Sequence, residues 1–159
     1  MKKYFVFAVL VSLHLFAASQ QVTKMNIEEL TDYISKCEKP LVVSFWATWC
    51  GSCVEEIPYF MSTIKEKYNG EVDLLLVSLD IKEYYPKKIA AFAGQRKFTV
   101  PIVWLSERNA DVFCPKIDSS WTGAIPSTLM VNNKKQYRRF YEQGLTQFQF
   151  DKNLKSLVE

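Results

Sequence analysis

The sequence has a single histidine, His14, and it lies in the apolar start of the chain. With residues 1–19 set aside as a leader, no imidazole remains, which excludes a Cys–His dyad and any histidine-ligated metal. An excess of one charge is also missing. Removing Lys2 and Lys3 with the leader leaves 18 basic against 17 acidic residues, net +1 in place of +3. Nothing in that balance points to a nucleic-acid surface. Cysteines number four, and only Cys50 and Cys53 form a Cys-x-x-Cys; Cys37 and Cys114 do not supply a second pair, so the ligand spacing of a zinc site is not met. Repeats, low-complexity segments and linkers are absent. At 159 residues the chain is one domain's worth, long enough to bury a core without staples.

The start of the chain is of a different kind. Lys2 and Lys3 precede an apolar run from Tyr4 to Ala18, interrupted only by Ser12 and His14, and Ala17-Ala18-Ser19 supplies small residues suited to cleavage before Gln20. That is the pattern of a secretory leader. The run is about 15 residues, short of the roughly 20 that span a bilayer. The expectation is a signal peptide over 1–19, with an uncleaved anchor as the alternative, and one domain over 20–159.

The stretch that organises the rest runs from Leu41 to Phe60, LVVSFWATWCGSCVEEIPYF. Leu41-Val42-Val43 reads as a buried strand, and the residues after Cys50 read as a helix that Pro58 must kink. Positions three apart on a helix face the same side, so the sulfurs of Cys50 and Cys53 can meet. Cys50 lies at the helix N-terminus, where unpaired N–H groups and the macrodipole favour an anion and lower a thiol pKa. Cys50 is the candidate nucleophile and Cys53 the resolving thiol. A structural disulfide is the bland reading, but closing so short a loop gains little.

Trp46-Ala47-Thr48-Trp49-Cys50-Gly51-Ser52-Cys53, followed by Pro58, resembles the active site of the thioredoxin superfamily. With Ser44-Phe45 ahead and Glu56 behind, the stretch is similar to the TlpA/ResA-like extracytoplasmic thiol–disulfide oxidoreductases. Gly123-Ala124-Ile125-Pro126-Ser127-Thr128 supports the resemblance separately. The resemblance implies a thioredoxin-like α/β fold: a central mixed sheet flanked by helices, with a helical insertion between the βαβ unit and the strand that follows a cis-proline. It implies that Ile125–Pro126 is cis and meets substrate through the Ile125 backbone, with Trp49, Gly51 and Ser52 completing the substrate surface. It implies that Glu56 accepts a proton from Cys53; the bland reading is one more exposed acid in the first helical turns. Thioredoxin proper uses a buried aspartate six residues before its first cysteine, and Ser44 stands there.

The function so implied is an exported, periplasmic or cell-envelope thiol–disulfide oxidoreductase without a cofactor, acting as a monomer. The favoured direction is reduction of protein disulfides, cytochrome c apoprotein among the candidates, with electrons from an upstream membrane donor. An oxidase or isomerase on the same fold is the first alternative. A redox-inactive peptide-binding module and a thiol peroxidase are the others, the last opposed by Thr48 standing only two residues before Cys50. Cys37 and Cys114 are either a second disulfide or free thiols, with free thiols favoured.

Along the chain, patterning predicts an edge strand near Val22 and a helix from Ile27 capped by Asn26 with Glu29. Further strands are expected over Val72–Leu79 and Pro101–Leu105, and helices over Lys87–Phe98 and Asn109–Ile117, the latter interrupted at Pro115. A hairpin around Asn132-Asn133-Lys134 joins Ser127–Asn132 to Lys135–Glu142. A closing helix spans Leu145–Val158, with Phe148, Leu154, Leu157 and Val158 available to pack on the sheet.

Overall fold

The structure, a computed structural model, describes residues 20–159; the expected leader lies outside the described residues. Six strands make one sheet: β1 (Val22–Met25), β2 (Leu41–Trp46), β3 (Asp73–Ser78), β4 (Ile102–Leu105), β5 (Ser127–Asn132) and β6 (Tyr137–Tyr141). Their spatial order is β1-β4-β3-β2-β5-β6. The first four run parallel, while β5 is antiparallel to both β2 and β6. Five helices flank the sheet: α1 (Ile27–Lys36), α2 (Gly51–Lys67), α3 (Lys87–Gln95), α4 (Ala110–Ile117) and α5 (Gln147–Val158).

The central strand β2 is buried at all six positions. A strand covered on both faces must be apolar on both, which is why it reads as a continuous hydrophobic run. Its alternation feeds two cores. Val42 and Trp46 pack with Cys53, Ile57 and Phe60 of α2, Ile89 of α3 and Phe150 of α5; Leu41, Val43 and Phe45 pack with α1 and α4. Phe60 and Phe150 stack at 3.8 Å between ring centroids and join α2 to α5.

Helix starts follow their caps. Asn26 and Glu29 form a capping box on α1, whose buried Ile27, Leu30 and Ile34 keep the helical spacing. Thr146 and Gln149 form a second box and set the start of α5 at Gln147 rather than Leu145. That register corrects one expectation. Phe150, Leu154 and Leu157 face the core, and Phe148, on the opposite side of the helix, is 78 % exposed. Helix α3 stops at Gln95, short of Phe98, because the chain turns through Lys97 in the left-handed region. Helix α4 is not interrupted at Pro115; it runs to Ile117, and the proline removes one donor only. The segment after β3 carries a short 3-10 turn at Lys82–Tyr84 and a cis Tyr85–Pro86 peptide, which the sequence patterning did not announce.

Candidate redox site

The parallel strands β2 and β3 end side by side, and the segments leaving them build the site. In an open α/β sheet this carboxyl edge is where ligands meet the protein, because loops diverge there. From Trp46 the chain passes through Ala47–Trp49 and enters α2, with Cys50 as its N-cap and the Cys50 N–H donating to the Ala47 carbonyl at 3.0 Å. Cys50 and Cys53 are joined as a disulfide, with their Cα atoms 5.3 Å apart. The Cys53 N–H points at the Cys50 sulfur at 3.4 Å. No acid occupies the first turn of α2, so its positive end acts on Cys50 uncompensated. Cys50 is 6 % exposed and Cys53 fully buried. An incoming thiol or disulfide therefore reaches Cys50 first. Gly51 and Ser52 are exposed beside it, and Trp49 is 68 % exposed.

Glu56 follows Cys53 by three residues on the inner face of α2 and is buried at 3 % exposure, whereas Glu55 is exposed. One carboxyl oxygen, Oε2, accepts the Leu145 N–H at 3.1 Å. The other has no partner among the described residues. Burial pushes the Glu56 carboxyl up from 4.5 to about 7, against the opposing pull of the Leu145 hydrogen bond. Tyr59, one turn on, donates its hydroxyl to the Leu145 carbonyl, so the same residue is held from both sides. Burial and the nearby Glu56 charge push the Tyr59 hydroxyl up to about 12.

The Ile125–Pro126 peptide is cis and leads into β5. A Cβ placed on Gly144 would stand 3.6 Å from the Pro126 ring and 3.7 Å from Glu56 Oε2. The proline ring and the carboxyl thus both crowd the space a side chain on Gly144 would take. Trp121 is buried on the other face of the sheet, against Phe45 and Phe113. Trp46 is fully buried. Ser44 and its register partner Thr128 are both buried hydroxyls on the α2 side, without partners among the described residues. Cys37 and Cys114 are free thiols, the second buried and pushed up to about 11 by that burial.

Asp80 carries no assigned role in the sequence analysis. The residue lies two positions beyond β3, at 2 % exposure, and holds Thr48 in the segment that leads to Cys50. Its carboxylate accepts the Thr48 N–H at 3.1 and 3.2 Å, the Thr48 hydroxyl at 2.7 Å and the Ser78 hydroxyl at 2.9 Å. The Trp104 indole N–H donates to its carbonyl at 2.8 Å. An acid directly after an apolar strand was the available signal, since a buried carboxylate needs donors and Ser78 and Thr48 offer them.

A family model described as Thioredoxin matches residues 21–92, which include β1, β2, the Cys-x-x-Cys and β3. A thiol–disulfide oxidoreductase ResA of Oceanobacillus iheyensis is 26% identical over 122 residues, covering 76% of this chain and 59% of its own length. The chain is thioredoxin-like, and these likenesses support the TlpA/ResA-like branch of that superfamily. The thioredoxin-like protein YneN of Bacillus subtilis is 32% identical over 88 residues, covering 53% of this chain and 51% of its own. Among solved structures, a thioredoxin-related protein from Neisseria meningitidis serogroup B superposes with a TM-score of 0.62 at 25% identity. It covers 79% of this chain and 87% of its own. The chain spans about half to three-fifths of the length of the two curated relatives it matches here.

Proposed function

We propose that this protein is an exported thiol–disulfide oxidoreductase that works in the reducing direction on protein disulfides. One observation carries the reading: the Cys50–Cys53 disulfide caps α2 with the more accessible sulfur outward, and a buried Glu56 with one unpartnered carboxyl oxygen lies one turn beyond Cys53. In the dithiol form the Cys50 thiolate attacks a substrate sulfur. The substrate S–S bond breaks, one substrate thiolate leaves and takes up a proton, and a mixed disulfide remains on Cys50. Cys53 then gives its proton to the Glu56 carboxylate, and the resulting thiolate attacks the Cys50 sulfur. The second substrate thiolate leaves, two electrons have passed to substrate, and the disulfide of the structure is restored. A donor dithiol, supplied from the membrane in the reading the resemblance favours, runs the same exchange backwards to recharge the pair.

A proton acceptor works best when its pKa lies near the working pH, and a carboxyl near 7 meets that condition. The reducing direction is supported by what surrounds Cys50. Strong oxidants of this kind owe their potential to a stabilised reduced form. From Pro40 to Ile64 the sequence has no basic residue. The helix end is then the main support for a thiolate, and the reduced form is only modestly favoured. Extended substrate pairs with the backbone beside Pro126, where the N–H and carbonyl of Ile125 have no partner among the described residues. The leader-like start of the sequence supports export. Among the described residues no helix is long and apolar enough to cross a membrane.

The deciding measurement is the reduction potential of the Cys50–Cys53 pair, taken by dithiothreitol and glutathione equilibration with tryptophan fluorescence. Cys37→Ser and Cys114→Ser keep the free thiols out of the readout. A value near about −270 mV supports a reductase, and one near about −120 mV replaces it with an oxidase. Failure to reduce insulin at any potential favours a peptide-binding module instead.

A further inference from the structure

Glu142 stands just past the end of edge strand β6, and neither the chemistry above nor the strand ladder uses it. Its Oε1 accepts three hydrogen bonds from one short loop: the Thr122 N–H at 2.8 Å, the Thr122 hydroxyl at 2.5 Å and the Ala124 N–H at 3.1 Å. That loop, Thr122–Ala124, immediately precedes Ile125–Pro126. Its other side is fixed as well. The Ala124 carbonyl takes the Trp121 indole N–H at 2.9 Å and the Ser127 hydroxyl at 2.6 Å. Trp121 is itself wedged among Phe45, Phe113 and Phe140. Gly123 turns at φ +98, and a Cβ there would meet Ala110 at 3.5 Å and the Cys114 sulfur at 3.7 Å.

Both peptide groups of Ala124 are therefore spoken for by side chains. The next residue, Ile125, keeps its N–H and carbonyl free among the described residues. We propose that Glu142 is a positioning residue for substrate: by holding Thr122 and Ala124 it aims the peptide groups of Ile125 at an extended polypeptide disulfide. The proposal rests on the oxidoreductase reading above. Thr122 and Ala124 are exposed, and exposed hydrogen bonds add little to stability because water replaces them readily. The geometry of the loop depends on them more than the fold does. An extended substrate feels that geometry; a small disulfide that only touches Cys50 does not.

The test compares prereduced wild type, Glu142→Ala and Glu142→Gln, as whole chains, by stopped-flow tryptophan fluorescence. One substrate is an extended peptide carrying a single intermolecular disulfide, and the other is cystamine. For Glu142→Ala the half-saturating peptide concentration rises about tenfold, the limiting rate stays within about twofold, and the cystamine rate is unchanged. Glu142→Gln keeps an oxygen in the same place and recovers to within about threefold of wild type. An unchanged half-saturation in Glu142→Ala overturns the proposal. So does an equal loss on both substrates with a lowered Tm, which marks a fold brace. Wild type inert towards both substrates would instead remove the oxidoreductase reading beneath it.

Discussion

Glu56→Gln makes a stability prediction with a sign that few buried acid-to-amide changes share. Holding the carboxyl at about 7, where the exposed group titrates near 4.5, means that ionising Glu56 inside the protein costs about 3 kcal/mol more than ionising it in the unfolded chain. The native state binds the extra proton between those two values, so its stability falls as pH rises from about 4.5 through about 7. Above that range the whole penalty is in force; below it, none. Glutamine keeps an oxygen for the Leu145 N–H and never ionises. Its amide must still find an acceptor in a buried place, which takes back about 1 kcal/mol. Net, Glu56→Gln is more stable than wild type by about 2 kcal/mol at pH 8–9, equivalent to a Tm higher by about 4–8 °C for a domain of this size. At pH 4–5 the order reverses slightly. Thermal unfolding of the oxidised proteins across pH 4.5–9, followed by circular dichroism, reads the difference directly. Because other groups titrate identically in both proteins, only the gap between the curves matters. Parallel curves would refute the argument, since they would mean that Glu56 titrates as an ordinary surface acid.

Two further outcomes follow from the same partner lists. Asp80→Ala removes the acceptor for the Thr48 N–H, the Thr48 hydroxyl and the Ser78 hydroxyl, all at a buried site. A loss of about 2–4 kcal/mol in urea unfolding is expected, and a loss below about 0.5 kcal/mol would deny the clamp. Cys37 and Cys114 are free, so Ellman's reagent titrates two thiols in the denatured oxidised protein. In the native protein Cys37 reacts and Cys114 does not, because its thiol is buried and held up at about 11; rapid native labelling of Cys114 would contradict that.

What the sequence made legible was whatever depends on near neighbours in the chain. The capping box at Asn26 and Glu29, the doubly buried strand from Leu41 and the three-residue spacing of Cys50, Cys53 and Glu56 are local patterns, and the structure places them accordingly. Phe148 was misread for want of a register. A stretch with Phe148, Phe150, Leu154 and Leu157 offers two helix faces, and the start set by the Thr146 cap selects the one without Phe148. Asp80 and Glu142 lay out of reach for a different reason. Asp80 meets Thr48 across 32 residues and Glu142 meets Thr122 across 20, through hydrogen bonds that no periodicity encodes. Only the parallel pairing of β2 with β3, and the hairpin of β5 and β6, bring those partners together.

Three carboxylates hold segments that build the site, in a described chain without histidine, and their partners separate them. Asp80 is buried, yet its oxygens are filled by donors from Thr48 and Ser78. Those donors make Asp80 a structural anchor that ties Thr48 to the end of β3. Glu142 lies at the surface with three donors on one oxygen; the Thr122 hydroxyl foremost, with the loop N–H groups, holds its carboxyl below the ordinary range. Glu142 stays charged through neutral pH. Glu56 alone combines burial with a single donor and a free oxygen. Desolvation then outweighs hydrogen bonding and pushes its carboxyl up to about 7. The proposed role of proton acceptor rests on Glu56 having too few donors, and a second donor built towards its Oε1 would lower its pKa and move the pH dependence of Cys53 attack down with it.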